Sequence, residues 1–427
     1  MKIIKYPKKE TWKEILKRPT FDISSLEKTV QDILNDIKIN GDKAVRKYSL
    51  KFDKADLNEF SVNTDEIREA EKSISDDLKK AISLSCKNIE VFHSSQKQES
   101  KVIETSKGVK CWQKSVAIEK VGLYVPGGLA PLFSTVLMLG IPAKIAGCKD
   151  IVLCTPPDKN GKIHPAILYA AQLVGITSVF KVGGVQAIAA MAYGTESIPK
   201  VYKIFGPGNQ YVTSAKQQVS RDGVAIDMPA GPSEVAVMAD GSANPSFVAS
   251  DLLSQAEHGA DSQVIMVTAD ESIVKPVLQQ VESQVELLPR KELARKSLEN
   301  SKIIILKDID EMVDIINEYA PEHLIISVEN YLEIAERIIN AGSVFLGNLT
   351  PESAGDYSSG TNHTLPTNGY AKMYNGVNLD SYIKKITFQE LSTEGLKSIG
   401  PSVEIMAATE DLMAHKNAVT LRLNSIK

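Results

Sequence analysis

The chain has 427 residues, of which 43% are hydrophobic and 24% charged, with a formal net charge of −4. That length accommodates more than one buried core, and the composition is that of an ordinary soluble protein. The charge excludes a basic footprint for nucleic acid, no apolar run is long enough to cross a bilayer, and the N-terminus lacks the apolar core of a signal peptide.

Cys86, Cys111, Cys148 and Cys154 make no C-x-x-C pair. Neither a zinc ribbon nor a disulfide frame is expected, and a reducing cytoplasm is the default compartment. Residues from about 20 to 98 read as helical, with solvated Lys/Glu faces and starts at Ser24-Ser25-Leu26-Glu27 and Thr64-Asp65-Glu66-Ile67. Residues 102–116 fit two strands around the Lys107-Gly108 turn.

From Val121 the texture changes. Apolar strand-like runs at 121–125, 151–154, 178–182 and 201–205 alternate with helix-like runs at 134–146, 165–174 and 186–190. The rhythm resumes with strand-like runs at 235–238, 264–268, 303–306, 324–328 and 343–346. Strands that alternate with helices imply parallel sheet with right-handed crossovers. The fold class is therefore α/β, with two Rossmann-like parallel-sheet domains plus a helical N-terminal arm and a C-terminal tail. The expected boundaries are 1–118 for a mainly helical region packing on the second α/β unit, 119–229 and 230–372 for the two units, and 373–427 for a helical tail. Residues 348–369 read as loop.

Three strand-to-helix turns carry glycines: Gly127-Gly128, Gly183-Gly184 and Gly206-Pro207-Gly208. None is a G-x-G-x-x-G, because Tyr211 stands where the third glycine belongs. Each alone is a tight turn. On successive parallel strands they share the C-terminal edge of one sheet, where open α/β folds bind ligands. Tyr124, Gln186 and Asn209 beside them could stack on or hydrogen-bond a nucleotide.

The helix-like run 247–253 leads into Ser254-Gln255-Ala256-Glu257-His258-Gly259. If the helix continues, Gln255 and His258 share a face and offer half of a metal site. An isolated Q-x-x-H is more often just a helix end. His93 and His164 have surface-like surroundings, whereas His323, His363 and His415 have polar company. Glu322-His323 at a strand mouth is an acid/base pair if both enter a cleft, and an exposed dipeptide otherwise. Asp356 is a turn former or, with Gln255, His258 and His415, part of a mixed N/O ligand set. Glu410 and His415 are five apart, which does not place them on one helical face.

These residues lie in stretches by which the chain resembles the histidinol dehydrogenases along nearly its whole length: Val121-Gly122-Leu123-Tyr124-Val125-Pro126-Gly127-Gly128, Phe205-Gly206-Pro207-Gly208-Asn209, Asp227-Met228-Pro229-Ala230-Gly231-Pro232-Ser233-Glu234, Gln255-Ala256-Glu257-His258, Ala320-Pro321-Glu322-His323-Leu324, Gly355-Asp356-Tyr357, Gly360-Thr361-Asn362-His363 with Leu365-Pro366-Thr367, and Ala414-His415-Lys416. The resemblance implies a zinc enzyme that oxidises L-histidinol to L-histidine through histidinaldehyde with two NAD+. It implies zinc held by Gln255, His258, Asp356 and His415, and Glu322 and His323 as the bases. Ser233, His323 and Glu410 would contact substrate with the zinc ligands, and His363 is a further candidate contact. Tyr124, Gln186 and Asn209 would line the NAD+ site in the first unit. It also implies a homodimer whose C-terminal tails cross, so that Glu410 and His415 complete the partner's site. One departure is Leu129 and Phe133, where the family usually has Thr and Pro. A zinc hydrolase without the nucleotide, and a non-catalytic metal or ligand binder on the same scaffold, are the rival readings.

Overall fold

A computed structural model of the chain describes residues 1–19, 23–127, 131–229 and 231–426, with the backbone alone for residues 23–25. Gly128, Leu129 and Ala230, singled out above, lie outside the described residues. The chain opens with strand β1 (Lys2–Lys5) and helices α1 (Trp12–Ile15), α2 (Ile23–Phe52), α3 (Thr64–Ser73) and α4 (Asp76–Ser94). A hairpin, β2 (Ile103–Ser106) and β3 (Val109–Ala117), precedes the first alternating unit. That unit runs β4 (Lys120–Tyr124), α5 (Phe133–Ala146), β5 (Asp150–Thr155), α6 (Pro165–Val174), β6 (Ser178–Lys181), α7 (Gly184–Tyr193), β7 (Lys203–Phe205), α8 (Gln210–Arg221) and β8 (Ala225–Ile226). The second runs β9 (Glu234–Ala239), α9 (Pro245–Ala256), β10 (Gln263–Thr268), α10 (Val274–Val285), α11 (Lys291–Glu299), β11 (Lys302–Ile305), α12 (Ile309–Tyr319), β12 (His323–Ser327), α13 (Tyr331–Ala335), β13 (Ser343–Leu346) and α14 (Glu352–Tyr357). The tail is β14 (Ile383–Leu391), α15 (Thr393–Thr409) and α16 (Met413–Ser425).

The first sheet has the order β6-β5-β4-β7-β8 and the second β1-β11-β10-β9-β12-β13, with every pair parallel. Helices cover both faces of each sheet, so the central strands are apolar throughout: all six residues of β9 and all six of β10 are buried. Local caps agree with this frame. Asn244 accepts from Ser246 N–H at the start of α9, with Pro245 behind it. His164, read as bland, is the N-cap of α6, where its Nδ1 accepts from Ala166 N–H at 3.2 Å. His93, also read as surface, is fully buried against the Ile89 carbonyl.

Two expectations are corrected. The N-terminal helices pack on the first unit, not the second: α2 lies on α7 and α8, α3 on α6, and α4 on α5. Leu26, Val30, Ile33, Leu34 and Ile37 of α2 share one core with Val185, Ile188 and Val212, which is the burial that holds them there. β1 and the segment bearing Trp12 and Leu16 join the second unit, and α4 touches it where Ser85 and Asn88 hydrogen-bond Ser358. The tail is not helical throughout, because β14 pairs antiparallel with β3 from Ile383↔Ala117 to Leu391↔Val109. Beyond it α15 and α16 pack on one another. Among the described residues no helix is long and apolar enough to cross a membrane.

Candidate active site

Two cavities meet at the turn 206–209. The larger, about 1020 Å³, opens at the C-terminal edge of the first sheet and is lined by Tyr124, Gly127, Gly184, Gln186, Asn209 and Asp53 among others. It spans the turns after β4, β5, β6 and β7, and so includes the point between β4 and β7 where the strand order of this sheet reverses. Gly184 N–H donates to the Tyr124 hydroxyl at 3.0 Å, and Gln186 Nε2 donates to Asp53 Oδ2 at 3.1 Å. Gln186 Oε1 is buried without a partner, an acceptor available to a ligand. Asn209 caps α8 by accepting from Tyr211 and Val212 N–H. Phe133 is the first residue of α5.

The second cavity, about 250 Å³, lies between the units, and its lining includes Asn209, Ser233, His258, Glu322 and His363. Ser233 immediately precedes β9, Glu322 immediately precedes β12, and His323 opens it. The cleft therefore uses the N-terminal edge of the second sheet, facing the C-terminal edge of the first. Glu322 Oε2 accepts from Glu234 N–H at 2.9 Å, and His323 Nδ1 lies 3.3 Å from the Glu234 carbonyl. His323 Nε2 is 3.4 Å from Asp356 Oδ1, beyond the usual range for a hydrogen bond, and is buried without a partner. α14 carries Glu352 and Asp356 on one face, and donor atoms of His323, Glu352 and Asp356 lie within 4.8 Å of one another.

Burial pushes the Glu322 carboxyl up to about 8, with His323 and the Glu234 N–H opposing. Burial alone would lower His323, yet the carboxyl groups of Glu352, Glu322 and Asp356 together hold it above the ordinary imidazole range. Burial would raise Asp356, and the neighbouring imidazoles hold it low instead. His258 stands exposed at the cleft mouth, where crowding by surrounding protein lowers its pKa against the pull of Asp356. Three carboxyl groups around one imidazole form a set short of positive charge. Gln255 Oε1, Glu352 Oε2 and His323 Nε2 are all buried without hydrogen-bond partners. Such a nitrogen–oxygen donor set fits a divalent cation.

Of the residues singled out by sequence, Gln255, Asp356, Glu322 and His323 stand together, with Ser233 and His258 at the same cleft. Helix α9 ends at Ala256, so His258 sits in the turn after it, its N–H on the Gln255 carbonyl at 3.2 Å. His415 and Glu410 are exposed on the tail and take no part in lining the cleft. His363 has a protein partner on each ring nitrogen, the Asp356 carbonyl at 2.9 Å and Thr135 Oγ1 at 3.1 Å, so it braces the Asp356 segment. Sequence reasoning assigned no role to Glu352. Its four-residue spacing from Asp356 was a signal that the loop reading of 348–369 concealed.

The model of the histidinol dehydrogenase family matches residues 16–423. A histidinol dehydrogenase of Bacteroides thetaiotaomicron is 67% identical over all 427 residues, covering 100% of both chains. One of Escherichia coli K12 is 54% identical over 421 residues, 98% of this chain and 96% of that one. The crystal structure of histidinol dehydrogenase from Elizabethkingia anophelis superimposes with a TM-score of 0.98 at 56% identity, covering 100% of this chain and 98% of that one. With this likeness along its whole length, the chain belongs to the histidinol dehydrogenase family.

Proposed function

We propose that the protein oxidises L-histidinol to L-histidine through L-histidinaldehyde, reducing two NAD+ per turnover and using one zinc ion per site. The observation that carries this reading is the junction of the two cavities at Asn209, which lines both. A nucleotide in the larger cavity would have its reactive end beside a substrate in the smaller one. Gln255, His258 and Asp356 would hold the zinc, with the partner subunit's His415 as the fourth ligand. When bound, zinc would supply an anchor for the imidazole and amine of the substrate, and NAD+ would take up the hydride.

The side chains then have separable tasks. With a bound cation offsetting the carboxyl groups that otherwise keep His323 protonated, Nε2 would be free to take the alcohol proton while Nδ1 keeps its own on the Glu234 carbonyl. Glu322, ionised once a bound cation offsets the effect of its burial, would take a proton from the water that adds to the aldehyde, giving the hydrate for the second oxidation. Water attack is favoured over a thiol adduct because the cleft lining contains no cysteine and the buried Cys154 thiol is pushed far up by desolvation. Ser233 and Glu410 would contact the substrate, Glu410 from the partner's tail. Tyr124, Gln186 and Asn209 would hold NAD+.

The test is stoichiometric. Purified protein with L-histidinol and NAD+ should yield two NADH per histidine, and a chelator should stop it until zinc is restored. A ratio of one, or turnover indifferent to chelation, would overturn the reading.

A further inference from the structure

Only the oxygen end of a glutamine amide binds a cation, and the two ends are interchanged by a half-turn of the side chain. Gln255 is 2% exposed, so water cannot choose between them. Its Nε2 donates to Glu352 Oε1, while its Oε1 is buried with no partner. While Glu352 is ionised its carboxylate accepts and never donates, so the flipped amide would set oxygen against oxygen. Glu352 is 1% exposed and sits at the first position of α14, one helical turn before Asp356. One short helix therefore presents Asp356 itself and the acceptor that orients Gln255 from α9.

We propose that Glu352 is a positioning residue for the metal site: its carboxylate fixes the Gln255 amide with Oε1 toward the cation. The charge-assisted hydrogen bond also draws electron density onto Oε1, which strengthens an otherwise weak amide ligand. The inference rests on the zinc reading proposed above. The alternative role for Glu352 is direct ligation, since one of its oxygens has no partner and it lies close to His323 and Asp356. The two roles differ in what happens when Gln255 is gone.

Zinc affinity is measured by competition with a chromophoric chelator on the wild type, Glu352→Gln, Gln255→Ala and the double variant, with no substrate or NAD+ present. Glu352→Gln is isosteric, and Glu352→Asp serves as a second variant that keeps the charge. The expected result is a loss of about 10- to 100-fold for Glu352→Gln and partial rescue in Glu352→Asp. In the Gln255→Ala background, Glu352→Gln should change affinity by no more than about twofold, since its partner is already absent. Wild-type affinity in Glu352→Gln would overturn this inference alone. Additive losses in the double variant would overturn it in favour of direct ligation. A wild type that binds no zinc would overturn the metal reading and the inference with it.

Discussion

Lys216 and Asp227 form an ion pair of 2.5 Å at the seam of the two cavities, with side-chain exposures of 4% and 1%. Together they grip both polar atoms of one residue: Asp227 Oδ2 accepts from Gly206 N–H, and Lys216 Nζ donates to the Gly206 carbonyl, each at 2.8 Å. Gly206 has φ 128°, and a Cβ there would lie 2.0 Å from the Tyr124 carbonyl oxygen, so only glycine fits. The clamp holds the turn shared by the proposed nucleotide and substrate pockets.

Removing both partners of this pair should therefore cost less than the two single removals added together. Lys216→Met leaves a buried, uncompensated carboxylate and is expected to destabilise by about 3–5 kcal/mol. The Lys216→Met/Asp227→Asn double variant should lose less than the sum of the single losses. Urea denaturation of the four proteins measures this, and KM for NAD+ should rise in each variant as the turn loosens. Strictly additive stability losses would mean that the pair is not coupled as its geometry indicates.

Asp53 gives a pH prediction. Burial lifts its carboxyl from 3.8 to about 6, against the Gln186 and Gly183 hydrogen bonds that favour the ionised form. A carboxyl raised in the folded state binds more protons folded than unfolded, so stability falls as pH rises. The window runs from about pH 4 to about pH 6, and the penalty is complete above it. Because Asp53 is partly exposed, the penalty at neutral pH is expected to be about 1 kcal/mol. Asp53→Asn should remove it, leaving the variant more stable at pH 7 and its denaturation midpoint flatter across the window. An unchanged slope would show that Asp53 is not the titrating group.

The alternating units were legible because strands buried on both faces leave unbroken apolar runs, as in Val235-Ala236-Val237-Met238. β1 was not, since four residues with two lysines become a strand only through β11, some 300 positions away. β14 was expected to be helix with the rest of the tail, and only its pairing with β3, more than 260 residues away in sequence, makes it a strand. Glu322 and Gln255 were visible as residue types. Their meeting place was not, because the ligand rule for open sheets points to C-terminal strand edges, whereas this cleft uses the N-terminal edge of the second sheet.

Glu322→Gln separates the two oxidations. The amide keeps the shape and can still accept from Glu234 N–H, but it cannot take a proton from water. Histidinol binding should persist, while oxidation of supplied histidinaldehyde should fall by about 10²- to 10⁴-fold, the range of a lost general base. Equal aldehyde oxidation by variant and wild type would remove Glu322 from that role.

His415 and Glu410 are exposed, apart from the cleft they are proposed to complete, and the same tail exposes Ile405 (68%), Met406 (65%) and Leu421 (61%). Apolar surface of this kind on paired helices calls for a cover, and a second copy of the chain supplies one if the tails cross. Sites shared in this way have a signature in mixed dimers. Glu322→Gln and His415→Asn should each fail to form histidine when assayed alone. Unfolded together and refolded at equal amounts, about half the dimers would carry one of each subunit, and each of these would own one intact site, returning about a quarter of wild-type activity. If every site were built within one chain, both sites of the mixed dimer would be defective and no activity would return. Sedimentation of the refolded mixture confirms that dimers formed, so that silence can be read as an unshared site.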